Sequence, residues 1–415
     1  MTRRISFLLA AGLFSLPALA TNGYFSNGIG TEHKGLAGAG VALSLGSLSA
    51  ATNPAAEAFL GSEFGLGLAT FNPNRDYEVK GNPSGFPGTF GLAPGKVESD
   101  SKAFLVPSLG VNWQLTPDSA FGVAVYGNGG MNTNYKARTF GASPTGINLT
   151  QLFVAPTYAI KVAEGQALGV SAILAYQQFK ADGLGAFAPY SSDPSSLSDR
   201  GSDSATGYGL RIGYQGELGS LLRLGLSYQT RTKFGAFKKY QGLFAEQGAF
   251  DIPSTWTAGL ALKATEHLTF VLDVQRINFS EVKSVGNPLL PNLQTAHLGA
   301  NDGAGFGWRD ETVVKLGAQW QVSPGWALRA GYSKGKQPIP ETEVLFNILA
   351  PAVVEQHVSL GATGKLGQNK EFSFAVTRAL SHSVTGPNPL EAPGQQTITL
   401  RMDQWDLEFG FAVHF

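Results

Sequence analysis

The last eleven residues, Trp405-Asp-Leu-Glu-Phe-Gly-Phe-Ala-Val-His-Phe415, alternate without a break. Trp405, Leu407, Phe409, Phe411, Val413 and Phe415 share one face, while Asp406, Glu408, Gly410, Ala412 and His414 share the other. A period of two is the signature of a β-strand, whose side chains point to opposite faces in turn. Acidic groups on the inner face and a large aromatic face outside suit a strand with hydrocarbon on one side and a polar interior on the other. The same pattern recurs upstream. Leu222, Leu224, Leu226 and Tyr228 oppose Arg223, Gly225, Ser227 and Gln229; Val314, Leu316, Ala318 and Trp320 oppose Lys315, Gly317, Gln319 and Gln321; Leu328, Ala330 and Tyr332 oppose Arg329, Gly331 and Ser333.

Composition narrows the setting. Only 14% of residues are charged and 53 of 415 are Gly, against roughly 25% charged and 7% Gly in soluble domains. The start, Met1-Thr2-Arg3-Arg4, then an apolar run from Ile5 to Leu16 and small residues through Ala20, follows the order of a secretory signal peptide, so residues 1–20 are read as a leader. Setting aside Arg3 and Arg4 leaves 28 basic residues against 30 acidic, a charge of −2. That balance excludes a nucleic-acid partner. With no Cys there is no disulfide, thiolate metal site or Cys nucleophile. Beyond the leader no run of apolar residues is long enough for a membrane helix.

Fourteen segments carry the alternation: 62–80, 101–115, 119–135, 147–163, 166–182, 204–218, 221–236, 254–265, 267–281, 308–323, 325–337, 354–366, 369–384 and 400–415. Tight turns such as Ser323-Pro324-Gly325 alternate with long Pro- and Gly-rich connections, for example 183–203, 237–253 and 282–307. Short turns on one rim and long loops on the other predict an all-β fold, a 14-stranded antiparallel transmembrane barrel over 61–415, in the outer membrane of a bacterium. Phe415 resembles the terminal residue read by the barrel assembly machinery. Eight-stranded barrels fill with side chains and barrels of sixteen leave a channel, so fourteen strands call for a plug. Residues 21–60, rich in Gly, Ala, Ser and Leu, are read as that plug, a hatch of short helices in the lumen. A periplasmic tail so poor in charge would be badly solvated.

The segment leading to Asn53-Pro54-Ala55 resembles the hatch of the long-chain fatty acid transporter family of outer-membrane proteins, which includes carriers of aromatic hydrocarbons. Ile252-Pro-Ser-Thr-Trp-Thr-Ala-Gly-Leu260, Leu272-Asp-Val-Gln-Arg276, Trp308-Arg-Asp310 and Leu328-Arg-Ala-Gly-Tyr332 followed by Gln337-Pro-Ile-Pro340 are similar to its later strands. The resemblance spans the chain beyond the leader. It implies passive uptake of hydrophobic molecules, fatty acids foremost, with aromatic or alkane hydrocarbons as the alternative and a general diffusion porin as the second. It implies an inward kink of the third strand that leaves a lateral gap. Gly127-Asn128-Gly129-Gly130 is a poor strand sequence at that place, and reads equally as the kink or as the start of a loop. The resemblance also implies hydrophobic capture by long loops, where Leu184, Phe187, Tyr190, Leu243, Phe244 and Phe250 read as exposed; loop self-packing is the competing reading. A third apolar loop, Pro340 to Pro351, carries no motif that assigns it a role.

If the cargo is a carboxylate, a lumenal cation should meet it. Alternation points Arg211, Arg223, Arg231, Lys263, Lys315 and Arg329 inward, with Lys315 and Arg223 the first candidates. Neutral cargo stays open. Nothing marks an enzyme: no nucleophile elbow surrounds any Ser, and no two of the six His have metal-ligand spacing. The glycines at 28–40 lack the strand a dinucleotide loop requires. No cofactor is expected. The partners are a hydrophobic small molecule, membrane lipid and the assembly machinery.

Overall fold

The computed structural model describes residues 22–415; the leader, residues 1–20, lies outside the described residues. Fourteen antiparallel strands form the wall: β1 Glu63–Lys80, β2 Phe104–Thr116, β3 Ser119–Asn132, β4 Gly146–Ala163, β5 Gln166–Asp182, β6 Asp203–Leu218, β7 Leu222–Gln229, β8 Thr255–Lys263, β9 Leu268–Ile277, β10 Glu311–Ser323, β11 Trp326–Gly335, β12 Gln356–Lys365, β13 Lys370–Pro387 and β14 Thr397–His414. Each pairs with its neighbour in sequence, and β1 pairs with β14 from Glu63↔His414 to Lys80↔Thr397, which closes the cylinder. Closure removes the edges whose unpaired groups hydrocarbon would not satisfy. Two further short strands, Gly95–Glu98 and Lys233–Phe234, extend β1 and β6 on the long-loop side.

All fourteen predicted segments are strands, and their ends show where tertiary contacts overrule the period. The segment expected over 221–236 stops at Gln229, because Arg231 turns to the Asp251 carboxylate at 2.8 Å and to the Glu281 carbonyl at 2.7 Å. The ninth, expected to 281, stops at Ile277, after which Phe279 tucks into the bore. The outer face is apolar, with Leu66, Leu168, Leu210, Leu226, Phe270, Leu316, Leu360 and Phe409 exposed, as a lipid-facing band requires. Aromatics mark both borders. Trp113 stacks on Phe121 near the short turns, and Trp256 stands beside Tyr228 near the long loops.

Residues from Asn22 onward fill the lumen. One short helix, Thr31–Gly35, and two 3-10 turns, Ser49–Ala51 and Pro54–Phe59, make up the hatch, most of it buried. What lets it fit is a belt of inward-facing glycines. A Cβ at Gly331 would stand 2.1 Å from the Leu36 carbonyl carbon, one at Gly225 2.2 Å from the Val41 carbonyl oxygen, and one at Gly169 2.3 Å from the Pro54 carbonyl carbon. Backbone lies against backbone around the ring.

Candidate functional site: a seated hatch, a window in the wall and a cation cavity

The hatch is fixed by a few buried polar groups. Asn53 caps the Pro54–Phe59 turn by accepting the Ala55 N–H at 3.1 Å, and its Nδ2 donates to the Val41 carbonyl at 2.7 Å and the Tyr214 carbonyl on β6 at 2.9 Å. One amide thus stitches two hatch segments to the wall, with Pro54 at the first helical position, where its missing N–H costs nothing. Ala55 packs between hatch and wall with Ala159 and Ala167. On the opposite side Lys34 reaches Asp406 at 2.9 Å and Glu408 at 2.7 Å. Burial alone would lower the Lys34 pKa; the two carboxylates more than reverse that and raise it. The Asp273 carboxylate accepts the Gly40 and Val41 N–H groups at 2.8 and 2.9 Å.

Above the hatch the wall is interrupted. β2 pairs with β3 from Thr116↔Ser119 only as far as Leu109↔Val125, although β2 continues to pair with β1 through Phe71↔Phe104. β3 leaves its neighbour because it carries an extra residue: Gly127 faces Leu152 and Gly129 faces Gln151 on β4, so Asn128 is a bulge. A bulge bends the strand and increases its twist, and here the bent portion pairs with the hatch. Ser26 N–H donates to the Asn128 carbonyl at 3.1 Å, Gly130 N–H to the Tyr24 carbonyl at 2.9 Å, and Phe25 bridges Gly129. The Gly127–Gly130 stretch therefore lies inside a strand and does not begin a loop.

The break in strand pairing is closed at both ends, a window in the hydrogen-bond ladder. Its upper frame is the Asp100 N–H donating to the Asn134 carbonyl at 2.8 Å, and its sill is the Leu109↔Val125 pair. Pro107 stands in the unpaired stretch, a residue that sheet edges tolerate. Outside, an apolar groove of about 520 Å³ runs along Leu66, Leu68, Pro107, Leu109, Val125 and Phe409.

Inside, beneath Phe25 and Asn128, lies a small polar cavity of about 60 Å³ that reaches both Arg211 and Lys315. Arg211 donates to the Ala50 carbonyl at 3.2 Å, the Tyr126 hydroxyl at 3.1 Å and the Gln229 amide oxygen; Lys315 Nζ donates to the Gly38 carbonyl at 3.2 Å. Neither cation forms an ion pair among the described residues. Lys315 thus faces the lumen as the alternation indicated. Arg223 does not reach it: three residues from a tight turn, it is exposed on the short-turn rim and pairs with Glu217 at 2.7 Å. Of the other inward candidates, Arg231 binds Asp251, Lys263 is exposed and Arg329 donates to Gln319 and Thr363 on the wall.

The loop residues expected outside are mostly inside. Leu184, Phe187, Leu243, Phe244 and Phe250 are buried, and Tyr190 is half-buried. Phe187 belongs to a file of rings that descends among the long loops. Phe90 meets Phe187 at 5.2 Å, Phe187 meets Phe346 at 5.5 Å and Phe346 meets Phe306 at 5.0 Å; Phe306 then meets Trp308 at 6.2 Å and Trp308 meets Phe279 at 5.1 Å. Phe279 touches Tyr24 at 5.5 Å and Phe25 at 5.9 Å, beside the window. The file draws on residues more than 300 positions apart, so no local motif announces it, although Phe306-Gly-Trp308 in a Gly-rich loop is a local trace of its inner part. Phe415 is exposed on the short-turn rim, its N–H donating to the Ser62 carbonyl at 3.1 Å.

Residues 17–401 match the family described as outer membrane protein transport protein (OMPP1/FadL/TodX). The chain belongs to that family. Its members carry hydrophobic small molecules through the outer membrane and are passive channels, not enzymes. No curated protein matches the chain. Among solved structures it is similar to the Pseudomonas putida toluene transporter TodX, with 17% identity and a TM-score of 0.69 over 95% of this chain and 100% of that one. A Pseudomonas aeruginosa FadL homologue gives 16% identity and a TM-score of 0.67 over 94% of this chain and 98% of that one. The Ralstonia pickettii toluene transporter TbuX gives 18% identity and 0.63 over 94% and 99%. At such identities the likeness shows that this chain shares their fold.

Proposed function

We propose that this family member takes up long-chain fatty acids, admitting them through the aromatic file, holding the carboxylate near Lys315 and Arg211, and releasing the chain sideways into the membrane through the window between β2 and β3. The observation that carries the reading is two buried cations on one cavity, neither in an ion pair among the described residues. A buried charge is costly unless a partner offsets it; Asp273 stands opposite Lys315 on β9 beyond ion-pair distance, and an arriving carboxylate would be a closer partner. The lateral route follows from the cargo. Moving hydrocarbon into water costs about 0.8 kcal/mol per CH₂, roughly 13 kcal/mol for about sixteen of them; a window onto lipid avoids that step, and an axial route into the aqueous periplasm does not.

Two experiments test the two halves. Lys315→Gln should weaken oleate binding to detergent-extracted protein about tenfold, the equivalent of one charge-assisted hydrogen bond of about 1.4 kcal/mol, and leave oleyl alcohol binding unchanged. An equal loss for both ligands would count against the headgroup role. Deleting Asn128 removes the extra residue and should let β3 continue along β2, so oleate uptake by cells falls to background while binding persists; undiminished uptake would end the lateral route. A second reading, uptake of monoaromatic hydrocarbons, is favoured by the ring file itself, since aromatic cargo gains edge-to-face contacts there. Toluene binding that survives Lys315→Gln, with no oleate binding in the parent, would select it.

A further inference from the structure

The connection between β11 and β12, residues 336–355, enters the bore. From Val344 to Ala350 no residue is more than 4% exposed. Its far side touches the end of β3: the Thr133 hydroxyl donates to the Leu349 carbonyl at 2.8 Å and the Tyr135 hydroxyl to the Ile348 carbonyl at 2.9 Å. Counting β12, β13, β14, β1, β2 and β3 around a ring of fourteen places that contact nearly opposite the loop's root, so the loop crosses the barrel as a strap.

Asn347 fastens it. The Trp308 indole N–H donates to its Oδ1 at 2.6 Å, and its Nδ2 donates to the Phe306 carbonyl at 2.6 Å and the Glu343 carbonyl at 2.9 Å. Glu343 is pinned in turn by the Leu289 N–H at 2.8 Å, and burial raises its pKa above the usual carboxylate range. Next to the fastened amide, Phe346 stands between Phe187 above and Phe306 below. It is the ring that joins the outer part of the aromatic file to the inner part.

We propose that this strap is the specificity filter of the transporter, with Phe346 as the obstructing ring and Asn347 as the residue that positions it. A flexible acyl chain needs only a rotation of the Phe346 side chain. A broad rigid polycycle needs the strap itself to move, which breaks the buried hydrogen bonds of Asn347. The inference rests on the uptake function proposed above, and its test is read on a separate cargo.

Phe346→Ala and Asn347→Leu are compared with the parent in cells that lack any other such transporter, using oleate and a pyrene-tailed fatty acid as probes. Both variants should raise pyrene-probe uptake about tenfold over the parent, the factor that corresponds to about 1.4 kcal/mol, with oleate run alongside to read any change common to both cargoes. Pyrene-probe uptake that stays at the parental rate in Phe346→Ala overturns the filter. Should Asn347→Leu fail to assemble, Phe346→Ala decides alone, because it leaves the amide's hydrogen bonds in place. A parent that takes up no oleate refutes the fatty-acid reading, while the pyrene arm still reads the strap.

Discussion

A chain carrying Gly225→Val and Gly331→Val should assemble as a barrel with its hatch unseated, and should conduct ions in a planar bilayer where the parent is silent. The argument is steric. At both positions the atoms in the way belong to hatch backbone, at 2.2 Å from Val41 and 2.1 Å from Leu36, so no rotation of a side chain relieves the clash. Overpacking usually costs about 1–3 kcal/mol per site when side chains can yield, and backbone yields less readily. The wall has no reason to give way. Both positions sit in the middle of paired strands, β7 with β6 and β8, and β11 with β10 and β12, where Val is a favoured residue. The hatch, which crosses the lumen in short helices and turns, must move. Parental protein that already conducts like a porin would support the diffusion-pore alternative. A fully assembled double variant with no conductance would show that the glycines do not seat the hatch.

The glycine belt also shows what a sequence can and cannot reveal. Gly225, Gly317, Gly331 and Gly410 are visible on the inner face of their strands, since period two assigns a side to every residue. Their purpose depends on what approaches across the bore, and that is set by the hatch, nearly 200 to more than 300 residues away. Arg223 is the same lesson in another form. Alternation gives its side correctly but says nothing of its height, and three residues from a turn it reaches the rim. Asn128 could be a bulge or the start of a loop until its partners on β4 and the hatch are known. Leu184, Phe187 and Phe250 look exposed because they sit in loops; packed loops bury them against one another. The strands themselves are legible, though not all of their ends, because each must satisfy lipid on one face and lumen on the other at every step.

Lys34→Met should also loosen the hatch, by electrostatics where the valines act by volume. Lys34 is the cation for two buried carboxylates, Asp406 and Glu408, and among the described residues Glu408 otherwise receives only the Thr31 hydroxyl at 3.0 Å. Removing one partner of a buried ion pair costs about 3–5 kcal/mol, because the charge left behind stays desolvated. The variant should therefore expose the hatch to added protease and lower the temperature at which the folded band is lost on a semi-native gel. The size of the effect should depend on the carboxylates and not on the methionine. Adding Asp406→Asn and Glu408→Gln to Lys34→Met removes the stranded charges and should recover most of the lost stability, since replacing a whole buried ion cluster is often neutral. A triple variant as weak as the single one would mean that Lys34 acts through packing of its stem, and would remove the ion cluster from the account of what holds the hatch in place.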